Sequence, residues 1–499
     1  MNRRSGILMH IASLPGNFGI GTLGKKAYNF ADFISKAGFR YWQILPLGHT
    51  GYGDSPYQCF SAFAGNPYFI DFEILEDEGL LNKDDYVNED YGDNDISIDY
   101  GKIFDSKYKV LKRAYKNYKK MSLDVIKKEF EEFKNEKAFW LEDYSLYMAL
   151  KYNFELKSWY EWDEDIKRRD ENSIERYKFE LKDEIDYWSF LQYLFYKQWK
   201  QLKQYVNKLG IEIIGDIPIY VAADSADTWS KPENFQINDT TLDPLVVAGC
   251  PPDAFSETGQ LWGNLIYNWD YMKKEKYKWW KIRVKESLSL YDVLRIDHFR
   301  GFESYWSIPF GDKTAKNGKW IKGPGIDLFN EIKNELGELN IIAEDLGFLT
   351  VDVRKFLKET GFPGMRVLQF AFDGKAENAY LPHNYCEKCI AYTGTHDNDT
   401  FLGWYQKTSS KFERERARNY LGLNEIPEGL NWGFIRGIWS SVADITIAPT
   451  QDFLNLGNEA RMNLPSSLGG NWSWRVQEAQ LTDDLANKIY QLNKMYGRC

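Results

Sequence analysis

The sequence predicts an α/β protein built as a (β/α)8 TIM barrel with helical and loop insertions. Three apolar, β-type runs end abruptly in acidic residues, at 292–302, 340–347 and 389–399. Segments of helical length separate these runs, and eight strand signals can be counted along the chain. Parallel barrels carry their chemistry at the carboxyl ends of the strands, so acids at those ends indicate a site on that face.

Composition and charge exclude several classes of protein. The chain has 499 residues, 43% of them hydrophobic, which allows one large barrel plus insertions or two or three ordinary domains. The formal net charge of −10 argues against a nucleic-acid partner, since such binding needs a basic stripe. The apolar stretch 7–14 is too short and too polar for a signal peptide, and we find no run of about 18 apolar residues to span a bilayer. We therefore expect a cytoplasmic protein without a membrane partner.

The five cysteines are sparse and scattered, which suggests reduced thiols in an intracellular protein. Cys386 and Cys389 form a lone C-x-x-C motif without a second pair or histidines at zinc-finger spacing. Packing or a loop surface is therefore favoured over a metal or redox function for this pair.

The chain opens with a βαβ pattern. Strand signals at 6–13 and 41–46 flank an amphipathic stretch at 25–37. The segment 51–58 that follows is rich in Gly, Pro and Asp and reads as a loop over the top of the barrel. Its composition fits a plain surface loop and a functional loop equally well.

The stretch 76–200 has a different character. Its Asp, Glu and Lys content rises, Gly becomes rare after position 101, and 123–147 and 185–209 show helical spacing of apolar residues. We interpret it as a helical insertion between the second and third barrel strands, with solvated charged faces. The catalytic barrel is then expected over 1–75 and 201–499.

The third strand is expected at 211–221, with Asp216 at its end. The Asp216 carboxylate either orders the site, binds sugar or caps a turn. The long connection 222–290, rich in Pro, Gly, Asp and Trp, is predicted to be an inserted active-site subdomain or loop, because loops of this length in compact domains are usually functional or insertional.

The fourth strand carries the central motif. Arg295 and Asp297 are two residues apart, so on a strand their side chains share a face. A guanidinium beside a carboxylate keeps that carboxylate ionised and oriented, which predicts that Asp297 is an anionic nucleophile. Taken alone, the motif fits a structural ion pair about as well.

The remaining strands complete the barrel. The fifth ends at Glu344, a sixth is expected at 364–373, the seventh leads to Asp397, and an eighth is expected at 443–449. Asp345 should point to the face opposite Glu344. The last stretch is expected to close the barrel, and no separate C-terminal β-domain is expected. Glycoside cleavage needs a close pair of carboxyl groups, and a third acid can grip the sugar hydroxyls.

Three segments together resemble one family. RIDHFRGFESYW (295–306), AEDLG (343–347) and THDND (395–399) are similar to the signature regions of the 4-α-glucanotransferases, the amylomaltases or disproportionating enzymes of glycoside hydrolase family 77 in the α-amylase clan. The resemblance runs from GILMHIASLPG (6–16) to EARMNLPSSLGGNWSWR (459–475).

This resemblance implies a reaction and its catalytic residues. The family transfers a 4-α-glucanosyl unit from one α-1,4-glucan to the 4-hydroxyl of another glucan or of glucose. A retaining mechanism would make Asp297 the nucleophile and Glu344 the acid and then the base, with carboxyl groups about 5 to 5.5 Å apart. Desolvation and the nearby carboxylate are expected to raise the pKa of Glu344. Asp397 would stabilise the transition state.

The resemblance also implies substrate contacts. Tyr52 and Tyr57 would be stacking platforms, and 249–263 resembles the family's mobile active-site loop. Trp262 is alternatively ordinary packing, and His298 and His396 are alternatively structural. The full set of expected substrate-binding residues is Tyr52, Tyr57, Asp216, Asp253, Glu257, Trp262, Arg295, His298, Gln369, Asp373, His396 and Asn463.

No cofactor and no metal is implied, since two carboxyl groups suffice. The expected partners are α-1,4-glucans such as maltooligosaccharides, amylose and glycogen, and the expected state is a monomer or homodimer. A hydrolase using the same three acids is the nearest alternative, and a non-catalytic glucan-binding barrel is the next.

Overall fold

The computed structural model describes residues 3–121, 124–252, 256–347, 349–423, 429–467 and 469–499. Within these ranges the strands form two sheets. They are β1 (Arg4–Leu8), β2 (Tyr41–Gln43), β3 (Glu212–Pro218), β4 (Val246–Cys250), β5 (Gln260–Leu265), β6 (Val293–Asp297), β7 (Ser304–Pro309), β8 (Lys319–Lys322), β9 (Ile341–Ala343), β10 (Gly364–Val367), β11 (Cys389–Tyr392) and β12 (Ile445–Pro449).

The helices of the described chain surround and extend these sheets. They are α1 (Lys25–Lys36), α2 (Phe72–Asp77), α3 (Tyr100–Lys120), α4 (Asp124–Asn153), α5 (Glu164–Lys167), α6 (Glu171–Glu180), α7 (Lys182–Lys208), α8 (Ala226–Ser230), α9 (Trp269–Lys274), α10 (Lys278–Leu290), α11 (Ile326–Leu336), α12 (Val351–Thr360), α13 (Phe401–Gly403), α14 (Lys411–Leu421), α15 (Leu430–Trp439), α16 (Thr450–Phe453) and α17 (Asp483–Met495). None of the described helices is both long enough and apolar enough to span a bilayer.

Eight parallel strands make the barrel. Their order is β10-β11-β12-β1-β2-β3-β6-β9, and every pairing within it is parallel. A backbone hydrogen bond of 3.0 Å from Ala343 to Pro363 joins β9 to the chain just before β10. Strands such as β11 are buried along their whole length, which explains their continuous apolar runs. The predicted (β/α)8 barrel is confirmed.

Several strands end earlier than the sequence suggests. β1 ends at Leu8 and gives way to a 3-10 turn at Ile11–Ser13. β11 ends at Tyr392, so His396 and Asp397 lie on the loop that follows it. The apolar runs continue past the ladder because the residues at this end of the barrel remain buried after leaving it. Side chains on such loops are placed by tertiary contacts and no longer by strand alternation.

The long helices α3, α4 and α7 pack together through an aromatic interior. Tyr118 and Phe190 stack with ring centroids 4.5 Å apart, and Phe130 meets Phe190 edge to face at 5.6 Å. Helix α7 is continuous across position 200, where the sequence suggests a boundary between insertion and barrel. Its buried Trp199 donates a 3.1 Å hydrogen bond to the carbonyl of Leu290, at the end of α10.

The second sheet is antiparallel, in the order β5-β4-β7-β8. Two of its strands come from the predicted 222–290 insertion, and two come from 304–322, where no strand was expected. It has a small core of its own, made of Val247, Ile308 and Ala315 with Trp306 packed against it. This sheet carries Trp262 to the site described below. From Thr450 onward the described residues form helices and loops.

Candidate active site

Parallel pairing brings the acidic strand ends together. In the ladder between β3 and β6, Asp216 lies opposite Arg295 and Pro218 lies opposite Asp297. Strand β6 also pairs with β9, which leads directly to Glu344. Carboxyl groups that are far apart in the sequence therefore converge at one end of the barrel.

Arg295 links two of these acids. Its side chain is buried, and its Nη1 donates to Oδ2 of Asp216 at 2.5 Å while its Nη2 donates to Oδ1 of Asp297 at 2.8 Å. Asp216 is fully buried and also accepts a 2.7 Å hydrogen bond from the hydroxyl of Tyr57. The planar guanidinium fixes both carboxylates at once, which a lysine ammonium does poorly.

Asp297 and Glu344 form an acidic pair in which the charge of one carboxyl group affects the pKa of the other. Burial raises the pKa of Glu344, to about 8, and the charge of Asp297 contributes in the same direction. Burial also raises the pKa of Asp297, but the Arg295 guanidinium opposes that rise. Since Arg295 contacts Asp297 directly, the proton that the pair retains near neutral pH lies on Glu344. The pair thus offers a carboxylate and a carboxylic acid side by side.

Backbone amides hold the Glu344 carboxyl group. The N–H of His298 donates to Oε2 and the N–H of Leu346 donates to Oε1, both at 2.8 Å. His298 has φ +51°, a left-handed conformation in which His is among the enriched non-glycine residues. The turn that follows Asp297 therefore positions Glu344 as well.

Asp345 is held by different groups from its neighbour Glu344. It accepts a 2.6 Å hydrogen bond from the N–H of Met365 and lies 3.2 Å from Nη1 of Arg366. The two adjacent acids thus belong to separate networks. Both lie just after β9, which ends at Ala343, so these contacts and not strand alternation hold them apart.

Asp397 lies within a second polar group. Its Oδ1 accepts a 2.7 Å hydrogen bond from the Asn463 amide and lies 3.4 Å from Nε2 of His396. Burial would raise the pKa of Asp397, but His396 and Asn463 hold it well below its usual range. Burial likewise would lower the pKa of His396, and the Asp397 carboxylate outweighs it, so that the net pKa is raised. This loop therefore presents a firmly ionised carboxylate.

A cavity of about 550 Å³ lies between Asp297 and the polar group around Asp397. Asp297, His298, His396, Asp397 and Asn463 line it, together with Tyr57 and Trp262. This volume falls in the range typical of small-molecule sites.

Aromatic rings form two walls of the cavity. Tyr57 stacks on His396 at 5.1 Å, and Trp472 lies tilted against Tyr57 at 5.8 Å. On the other side, Trp262 meets His298 edge to face at 4.8 Å. Flat apolar faces beside polar groups suit sugar rings.

Other predicted residues lie elsewhere. Tyr52 and Glu257 are exposed and are not among the described residues that line the cavity. Gln369 is buried and donates from Nε2 to the carbonyl of Asp399 at 2.8 Å. Asp373 is exposed and accepts a 3.0 Å hydrogen bond from the N–H of Lys375. The predicted contact Asp253 lies outside the described residues.

Sequence reasoning missed two residues that shape the site. Trp472 is part of the aromatic wall, although the sequence suggested only that its segment closes the barrel. Arg461 donates to the carbonyls of Asp397 and Asn463, each at 2.7 Å. The signal for both was their presence in the 459–475 segment that matches the family.

No group of three or more His, Cys, Asp or Glu side chains arranged to hold a metal ion occurs in the described part of the chain. The C-x-x-C pair consists of an exposed Cys386 and a buried Cys389, both free thiols.

Comparisons with known proteins agree with this geometry. The family model described as 4-alpha-glucanotransferase matches residues 9–482. A 4-alpha-glucanotransferase of Clostridium butyricum is 60% identical over 491 residues, covering 98% of this chain and all of that protein. One from Streptococcus pneumoniae is 50% identical over 497 residues, covering 99% of this chain and 97% of the relative. The structure of amylomaltase from Streptococcus agalactiae in complex with acarbose superposes with a TM-score of 0.96 at 43% identity, covering 99% of both chains.

Proposed function

The chain belongs to the 4-alpha-glucanotransferase family, and from this premise we propose which of its residues carry the reaction and how. It is an enzyme of the amylomaltase type, and it transfers α-1,4-glucan segments from a donor to an acceptor glucan. The observation that carries the proposed roles is the coupled pair of Asp297, bound by Arg295, and Glu344, bound by two backbone amides.

In the first half of the reaction, Asp297 attacks the anomeric carbon of the donor sugar. Glu344 gives its proton to the glycosidic oxygen, the bond between carbon and that oxygen breaks, and the leaving glucan departs with a new 4-hydroxyl. The product is a covalent glycosyl ester on Asp297. A pKa of about 8 for Glu344 makes it a proton donor at neutral pH.

In the second half, the acceptor enters with its 4-hydroxyl. Glu344, now a carboxylate, takes the hydroxyl proton, and the oxygen attacks the anomeric carbon and releases Asp297. Two inversions give net retention, and both carboxyl groups return to their starting protonation states.

Asp397 is the stabiliser in this scheme. Its low pKa keeps it anionic, so it can oppose the positive charge that develops on the oxocarbenium-like sugar ring. Asn463 and His396 orient it, and His396 and His298 are placed on the cavity wall to donate to sugar hydroxyls.

The remaining substrate contacts are assigned to the cavity and its rim. Arg295 and Asp216 orient Asp297 from beneath, with Tyr57 between Asp216 and the substrate. Tyr52, Asp253, Glu257, Gln369 and Asp373 are further proposed contacts, carried over from the family resemblance.

Transfer requires that a sugar hydroxyl, and not water, attacks the glycosyl ester on Asp297. Trp262 and Tyr57 flank the cavity and are placed to orient an acceptor ring and reduce the access of solvent. We assign the acceptor preference to these two aromatic side chains.

The setting of the enzyme follows from the same premise. We propose that it acts in the cytoplasm on maltooligosaccharides, amylose or glycogen, as a monomer or homodimer without cofactor or metal. The catalytic barrel is assigned to 1–75 and 201–499, with 222–290 as the active-site insertion and 76–200 as the helical insertion.

The experiment that tests this function is incubation of the purified protein with maltotriose alone, followed by chromatography of the products. We expect glucose together with a ladder of longer oligosaccharides. Glucose and maltose without longer products would mean that water is the acceptor, and the hydrolase alternative would replace the proposal. No products at all would favour a glucan-binding protein.

A further inference from the structure

His10 is a buried histidine that the proposed reaction does not use. It follows β1 by two residues, 6% of its surface is exposed, and its ring meets Phe69 edge to face at 5.5 Å. Its Nδ1 is buried and has no hydrogen-bond partner among the described residues. A buried polar atom left unsatisfied costs about 1 to 3 kcal/mol, so this nitrogen calls for a partner other than a protein group.

A small cavity next to His10 has room for that partner. Its volume is about 20 Å³, enough for one water molecule. Residues of the loop that carries the proposed stabiliser also line it, and the polar residues of the lining include Ser13, Thr395, His396, Asp399 and Arg461. A buried water needs two to four polar partners, and this lining supplies them.

Neighbouring charged groups are already engaged. The Asp399 carboxylate accepts from the Thr400 N–H and from Asn458, both at 2.9 Å. Arg461 is bound to the carbonyls of Asp397 and Asn463. By contrast, Nδ1 of His10 has no hydrogen-bond partner among the described residues. This nitrogen is therefore available to bind a water in the cavity.

The His10 ring is neutral, which suits its buried position near His396. Burial and the proximity of His396 lower the pKa of His10 to about 3, so the ring is neutral. Asp399, Arg461 and His396 face it across this cavity, and Asp54 and Tyr100 face it across a second, smaller one. A neutral ring adds no repulsion beside His396, whose pKa the Asp397 carboxylate raises against the effect of burial.

We propose that His10 is a positioning residue for the transfer reaction: its Nδ1 binds one buried water that holds the 395–399 loop, so that His396 and Asp397 keep their orientation toward the sugar. The inference rests on the proposed roles of these two residues. Through the water, a residue at the end of the first barrel strand supports the loop after β11.

Three variants separate this role from simple packing. His10→Phe keeps a ring and removes both nitrogens. His10→Asn retains a polar atom near the position of Nδ1, and His10→Gln places its polar atoms near the position of Nε2. We expect roughly tenfold lower kcat on maltotriose for His10→Phe and His10→Gln, with little change in KM, and rescue by His10→Asn.

A second readout does not depend on turnover. The chain has 5 histidines, so the imidazole nitrogens of His396 can be assigned by NMR and titrated. His10→Phe should shift the His396 titration and His10→Asn should restore it. A high-resolution crystal structure should show water about 3 Å from Nδ1 in the wild type.

Several outcomes would overturn the inference. They are wild-type kcat and an unchanged His396 titration in His10→Phe, equal impairment of His10→Asn and His10→Gln, or a dry cavity in the crystal. If His10→Phe does not fold, the comparison of the Asn and Gln variants still decides. Failure of the proposed function would appear separately, as the absence of longer oligosaccharides with the wild-type protein.

Discussion

The backbone N–H of His298 donates to Oε2 of Glu344 over 2.8 Å. His298 is the residue after Asp297, so one turn of the chain fixes the proposed nucleophile and orients the proposed acid. The left-handed conformation of His298, with φ +51°, is part of that turn. Backbone amides therefore hold the Glu344 carboxyl group, whereas the Arg295 side chain holds the Asp297 carboxylate.

The first prediction concerns the two carboxyl groups. Asp297→Asn removes the anionic nucleophile and Glu344→Gln removes the transferable proton. Each should lower kcat on maltotriose by about 10³-fold or more while the circular dichroism spectrum stays unchanged. Asp345→Asn is the matched control, because Asp345 is bound to Arg366 and Met365. A loss in the control as large as in Glu344→Gln would move the acid role to Asp345.

The pH dependence follows from the raised pKa of Glu344. Burial, with the added effect of Asp297, raises that pKa to about 8, so the proton is present at neutral pH and is lost as pH rises through this value. We expect kcat/KM to fall about tenfold per pH unit on the alkaline side. Toward acid pH, kcat/KM should fall as Asp297 becomes protonated.

The residual activity of the Glu344→Gln variant provides the control for this pH profile. In Glu344→Gln the alkaline limb should disappear, because the group that titrates there is gone. Persistence of the limb would assign it to another group, with His396 as the first alternative, since its pKa is also raised.

Arg295 should be important for stability as well as for rate. Arg295→Met leaves the fully buried Asp216 without its cation, and we expect a loss of about 3 kcal/mol or more in the free energy of unfolding. Tyr57→Phe removes one hydrogen bond to the same carboxylate and should cost about 1.5 kcal/mol. Urea denaturation measures both.

A surface ion pair supplies the comparison. Lys36 and Asp483 are 3.0 Å apart, and both side chains are exposed. Lys36→Met should change the free energy of unfolding by less than about 1 kcal/mol. Equal effects of the buried and the exposed substitutions would contradict the assigned importance of the Arg295 network.

Trp262 should affect the choice of acceptor. It lines the cavity and contacts His298, so Trp262→Ala opens the acceptor side to water. We expect the ratio of transfer to hydrolysis to fall. Hydrolysis creates new reducing ends and transfer does not, so the ratio follows from glucose release measured beside total reducing ends.

Trp320→Ala is the control for Trp262, since Trp320 lies on the far edge strand of the same sheet, against Arg300. An unchanged ratio in Trp262→Ala, or an equal fall in both variants, would remove the acceptor role from Trp262.

Removal of metal ions should have no effect. The proposed chemistry uses carboxyl groups alone, so treatment with a chelator should leave the Tm and the rate on maltotriose unchanged. A drop in either that added Ca²⁺ restores would reveal a metal requirement absent from this scheme.

The sequence by itself determined the barrel and the acidic strand ends. Apolar runs such as 389–392 are continuous because parallel strands are buried on both faces, and this pattern is local. The spacing of Arg295 and Asp297 fixes their common face through strand alternation, so their contact was predictable.

Only the tertiary structure decided the contacts between residues that are far apart in the sequence. The hydrogen bond from Arg295 to Asp216 depends on the register between β3 and β6. The second sheet pairs strands from 246–265 with strands from 304–322, although barrel strand β6 lies between these segments in the sequence. His396, Asp397 and Trp472 lie on loops, where no repeating pattern fixes side-chain direction. Local sequence encodes periodic structure, whereas these contacts join residues that meet only when the barrel closes.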